Sequence, residues 1–156
     1  MLYIEAPKVF RKSYESDIAI FLAGGITGCP DWQKQMVENL NQTSLTLLNP
    51  RRKDFPINDP NAAKAQIKWE YNHLREANAI LFWFPKETLC PIVLYELGAW
   101  SMTLKTIFIG VHPEYPRRQD VEIQTKLIRP DIKIVYSLED LATQILLTPI
   151  LLGWDI

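Results

Sequence analysis

The sequence predicts one α/β domain, a doubly wound parallel sheet of five strands with helices on both faces. Five short apolar runs rich in β-branched and aromatic residues recur along the chain. Helix-patterned stretches separate them, the alternation that builds parallel sheets. The runs are also continuous rather than alternating in hydrophobicity, as strands covered on both faces require.

Each element follows from its own residues. The first strand is expected over residues 17–23, and Gly24-Gly25 ends it. A helix over 31–41 opens on Asp31, a capping acid, and carries Trp32, Met36 and Leu40 four residues apart. The second strand, 45–48, stops at Asn49-Pro50. The next helix, 62–76, places Ile67, Tyr71 and Leu74 on one side. The third strand, 79–84, is stopped by Pro85, and Pro91 suits the first turn of a helix over 92–104. The fourth strand, 106–111, ends at His112-Pro113 and leads to a short helix over 120–127. A fifth strand, 132–136, precedes a last helix, 138–147, capped by Ser137. Residues 1–16 read as an N-terminal extension, and 148–156 as a tail at an oligomer interface.

Composition bounds the function. The 156 residues carry 17 basic and 18 acidic side chains, a formal net charge of -1. That balance argues against a broad electrostatic grip on nucleic acid or on an anionic membrane. No run approaches the ~20 apolar residues that cross a bilayer, and residues 1–13 lack a signal-peptide core. Cys29 and Cys90 stand far apart without CxxC spacing, and the chain has 2 histidines. Neither a disulfide framework nor a structural zinc site is expected, so a reducing cytoplasm is the expected location. No cofactor loop or metal cluster is visible, and no cofactor is expected.

In a parallel sheet, ligands bind at the carboxyl ends of the strands. That geometry gathers Gly24, Gly25, Asn49, Arg51, Arg52 and residues 85–96 and 112–118 along one edge. Glu96 is the most informative of them. It is the sole charged side chain from Leu89 to Leu104, and its helical neighbours offer no ionic partner. A lone acid in an apolar helix suits a nucleophile or general base, or else a buried carboxylate satisfied by backbone amides. Gly24-Gly25 either lets a ligand approach backbone N–H groups or makes a plain turn. Arg51, Arg52 and Arg117 offer guanidinium forks to an anion, or lie in solvated loops. Glu70 beside Trp69 could recognise a nucleobase, the acid accepting and the indole stacking; an ordinary amphipathic helix is the alternative. His73 reads as a surface or capping histidine. Both cysteines read as small core or loop residues, and Phe84 as core or as the wall of a pocket.

Together these features resemble the nucleoside 2-deoxyribosyltransferase family, and more closely its divergent "2-deoxyribosyltransferase-like" branch. The carriers are Phe21 to Gly28, Leu48-Asn49-Pro50-Arg51-Arg52, Ala79 to Pro91, Tyr95 to Trp100, and Tyr115 to Val121. The resemblance implies a flavodoxin-like fold, with Glu96 attacking C1′ of a deoxyribosyl group to form a covalent glycosyl-enzyme. Glu70 inherits an acid or base-recognition role, and Gly24, Gly25 and Cys90 border the nucleoside. Three departures stand out. Cys90 occupies the position of an Asp six residues before the nucleophile, Phe21 that of a Tyr, and Asn78 that of a carboxylate opening the third strand. Three outcomes are therefore open: transfer of the sugar between bases, hydrolysis of a 5′-monophosphate or NAD-type substrate, or a binding or sensing module with reduced catalysis. The expected partners are a small nucleoside or nucleotide and further copies of the chain, given the apolar surround of residues 92–104 and the run 146–154. Trp154 or Asp155 would reach a neighbouring copy's site.

Overall fold

The structure, a computed structural model, describes residues 1–14 and 17–149. Its central strands have no accessible face. In β2 (Ala19–Gly24), Ile20 and Leu22 point one way and Phe21 and Ala23 the other. In β4 (Ala79–Phe84), Ala79, Leu81 and Trp83 oppose Ile80, Phe82 and Phe84. Around them lie β1 (Leu2–Glu5), β3 (Thr46–Asn49), β5 (Thr106–Val111) and β6 (Ile134–Val135). All neighbouring strands run parallel, in the order β1-β3-β2-β4-β5-β6. Without β1 this is the flavodoxin-like order, and its direction reverses between β2 and β4.

Helices cover both faces. On one side α2 (Ala62–Glu76), α3 (Pro91–Ser101) and α4 (Arg118–Ile128) bury Trp69, Leu74, Val93, Leu97 and Val121. On the other, α1 (Trp32–Asn39) and α5 (Leu138–Leu146) bury Trp32, Met36, Leu141 and Ile145. Asp31 caps α1 by accepting the Lys34 N–H at 3.1 Å, and Ser137 caps α5 by accepting the Asp140 N–H at 3.1 Å. None of these helices is long and apolar enough to cross a membrane.

The sheet has six strands where the apolar runs predict five. The additional one, β1, lies in the stretch expected to be an extension. It pairs with β3 on one side only and leaves Leu2 and Tyr3 exposed, so it needs no continuous apolar run. The α2 face also differs from its periodicity. Ile67 and Tyr71 are exposed, while Trp69, His73 and Leu74 pack inward. His73 is therefore a core residue and not a surface or capping one. Its Nε2 accepts the Phe10 N–H at 3.0 Å, which makes Nδ1 the protonated nitrogen, 2.6 Å from the Trp69 carbonyl. The imidazole stacks on Trp69 with ring centroids 3.9 Å apart.

His73→Phe keeps that stacking and orphans the buried Phe10 amide. We expect a loss of roughly 1–3 kcal/mol in urea unfolding. A loss below about 0.5 kcal/mol would mean that the amide finds another acceptor.

Candidate functional site

Where the strand order reverses, the carboxyl end of β2 and the segment that follows β4 border a cavity of about 330 Å³. That falls within the ~300–1,000 Å³ of small-molecule sites. β2 contributes Phe21, Ala23 and Gly24; the following loop adds Gly25, Ile26 and Thr27. Pro50 enters from the end of β3 and Glu70 from α2. Thr88, Cys90 and the first turns of α3, as far as Glu96, close the remaining wall.

The glycines serve packing first. A Cβ on Gly24 would come 2.4 Å from the Trp32 ring and 2.6 Å from the Trp83 carbonyl. On Gly25 it would meet Pro85 and Thr88, each at 2.7 Å. The Trp32 indole N–H donates to the Gly25 carbonyl at 2.9 Å, so the loop is fixed by the protein's own contacts.

Glu70 and Glu96 are the two charged side chains among the described residues that line the cavity. Burial raises the Glu96 carboxyl to about 8, with the nearby charge of Glu70 adding to the effect. Burial also raises Glu70, opposed by a hydrogen bond from Gln66 Nε2 at 2.9 Å. Cys90 lines the cavity beside Gly25 and lies in the left-handed region, at φ 50° and ψ 53°. Burial, and then its neighbour Cys29, push the Cys90 thiol up to about 12, which keeps it protonated at neutral pH.

The other expected ligand residues lie elsewhere. Arg51 turns into the glycine loop: its guanidinium donates to the carbonyls of Ile26, Cys29 and Pro30 and to Gln33 Oε1. Asn49 donates to the Tyr3 hydroxyl at 2.6 Å and accepts the Arg51 N–H. Arg52 lies over the Phe55 ring, and Arg117 pairs with Asp120 at 3.0 Å. Trp69 donates its indole N–H to the Lys8 carbonyl and stacks on His73, outside the cavity. Phe84 is fully buried beneath Tyr115. Asn78, where relatives were expected to carry a carboxylate, accepts the Ala19 N–H at 3.0 Å and pins the start of β2. Sequence reasoning gave Thr27 and Pro50 no lining role although both lie within motifs it singled out, while Thr88 falls in the stretch 85–96 that it placed along the edge. Trp154 and Asp155 lie outside the described residues. Among the described residues no three His, Cys, Asp or Glu side chains group to hold a metal ion.

Fold and site thus define an α/β protein with a doubly acidic, small-molecule-sized cavity at its topological switch point. The family model described as nucleoside 2-deoxyribosyltransferase like matches residues 17–115, and the chain belongs to that family. No curated protein matches it.

Burying Glu96 has a consequence for stability. An ordinary glutamate titrates near 4.5 and the folded Glu96 near 8. Between those values the folded chain holds a proton that the unfolded chain has released, so stability falls as pH rises through the window. Glu96→Gln is expected to stabilise the protein by on the order of 2 kcal/mol at pH 9 and hardly at all at pH 4. Urea midpoints at the two pH values check this; equal shifts would place the carboxylate in water.

Proposed function

We propose that the chain breaks or exchanges the N-glycosidic bond of a deoxynucleoside, with Glu96 as nucleophile and Glu70 as its acid and base partner. The observation that carries this is the pair of carboxylates facing one cavity at the carboxyl edge of the sheet. Glycosyl transfer commonly uses a pair of carboxylates, one of which is the nucleophile when configuration is retained. Glu96 Oε attacks C1′, the C1′–N bond breaks, and its electron pair leaves with the base, which takes a proton from the neutral form of Glu70. A second base or water then attacks C1′, gives its proton to Glu70 and frees Glu96, so the configuration is retained. This requires the pair to hold one proton, which burial of both carboxyls and the charge of Glu70 beside Glu96 support; the proton rests on Glu96 in the free protein and passes to Glu70 as substrate binds.

An unphosphorylated nucleoside is favoured over a monophosphate. Among the described residues no Arg, Lys or His lines the cavity, and Arg51, Arg52 and Arg117 are engaged elsewhere. A 5′-phosphate there would meet two acids and no cationic side chain. The second reading, a nucleoside-binding module with reduced catalysis, is favoured by Phe21 and Cys90, which offer the nucleophile neither a hydroxyl nor a carboxylate.

Incubation with deoxynucleosides and free bases should swap or release a base, and Glu96→Ala should lose roughly 10³-fold or more in kcat. Because catalysis needs one proton on the pair, kcat/KM is expected to fall as that proton leaves above about 8. Glu70→Gln takes away the shared proton, so the overall rate should drop and the fall above about 8 should vanish. Saturable binding without turnover by the wild type would select the binding module instead.

We also propose that the chain assembles with copies of itself through α2 and α3. Ile67, Tyr71, Ile92, Tyr95 and Met102 are all more than half exposed there, and Ile92 belongs to the cavity rim as well. So much apolar surface fits a second copy, which would close the open side of the site. Light scattering at micromolar concentration should give a dimer or larger, and Tyr95→Asp should lower the mass; a monomeric wild type excludes the assembly.

A further inference from the structure

We propose that the Tyr115 hydroxyl is a positioning group for Glu96, acting through the Leu89 carbonyl and the left-handed Cys90 that starts α3. This rests on the assignment of Glu96 as nucleophile. Tyr115 lies just beyond β5 and is buried, its ring 5.2 Å from that of Phe84. Its hydroxyl donates to the Leu89 carbonyl at 2.7 Å. The Leu89 side chain is exposed, so its own packing does little to anchor this peptide.

What the hydroxyl holds is a strained start. Among the described residues Cys90 alone, glycines aside, has positive φ. A non-glycine residue in that region costs on the order of 1 kcal/mol or more and persists where its surroundings over-determine it. Gly25 presses on the segment from one side, since a Cβ there would stand 2.7 Å from Thr88 and 3.1 Å from Cys90 Sγ. Tyr115 holds it from another element altogether. Further on, α3 has little else to fix its start. Cys90 makes no side-chain cap, Pro91 brings no N–H, and Leu94 N–H to the Cys90 carbonyl at 3.0 Å opens the ladder. Glu96 stands six residues beyond Cys90 on the same rigid helix, so a shift of that first carbonyl carries to the carboxylate. Misplacing a reacting group by about 1 Å can cost around a hundredfold in rate. Burial and the neighbouring Cys90 push the Tyr115 hydroxyl up to about 12, so it remains a donor at neutral pH.

Tyr115→Phe in the full chain keeps the ring and its contact with Phe84 and removes the one hydrogen bond. Hydrogen exchange should quicken about five- to tenfold at the Leu94 to Leu97 amides and stay within about twofold in β2 and β4. On a deoxynucleoside, kcat should fall about tenfold or more while KM changes by less than about threefold. Adding Cys90→Gly, which enters the left-handed region without the Cβ penalty, should restore most of the exchange protection. Unchanged exchange at those amides, an equal rise throughout the sheet, or a loss confined to KM would overturn the proposal. Local loss of protection in a protein whose wild type turns over no nucleoside would instead overturn the role of Glu96 and leave the latch standing.

Discussion

Ile20 to Ala23 and Ala79 to Phe84 are buried on both faces, and this two-sided burial shapes the rest of the molecule. Strands so placed can carry no charged side chain, because an unpaired charge between two helical layers would cost several kcal/mol. Polar chemistry is therefore displaced to the strand ends. Of those ends, the one where β3 and β4 leave β2 in opposite directions opens a crevice. Both carboxylates of the candidate site enter that crevice from helices, Glu70 from α2 and Glu96 from α3.

Holding such a crevice open falls to groups that do not line it. Arg51 ties together three carbonyls of the glycine loop, and Tyr115 ties the loop that starts α3. Gly24 and Gly25 let these two walls approach Trp32, Pro85 and Thr88 closely. Against that rigid frame stands an energetically unfavourable carboxyl, Glu96, whose proton is held well above the usual range by burial. Stability given up at a site in this way is common where chemistry needs a group that water would otherwise satisfy.

Much of this was legible in the order of residues. The alternation of strand and helix, the caps at Asp31 and Ser137, and the binding edge all follow from local patterning. Glu96 was visible because a single acid in an otherwise apolar helix contrasts with its neighbours. β1 was not visible, since an edge strand with exposed Leu2 and Tyr3 lacks the hydrophobic run that marks a central one. Nor was the inward turn of His73, whose partners are a backbone amide 63 residues away and a carbonyl on its own helix.

The arginines mark the boundary between the two kinds of knowledge. By itself the sequence determined the class of fold, the sheet edge beside which the cavity opens and the presence of a lone acid in an apolar helix there, because each depends on short-range periodicity and on contrast with neighbours. Which polar side chains face the cavity was decided by the tertiary structure alone. Arg51 had carbonyls 21 to 25 residues away within its reach, Arg52 had Phe55, and Arg117 had Asp120. A guanidinium takes whichever acceptors the fold brings nearest, and that competition is settled only when distant segments meet. What remains in the cavity is an acidic pair among apolar walls.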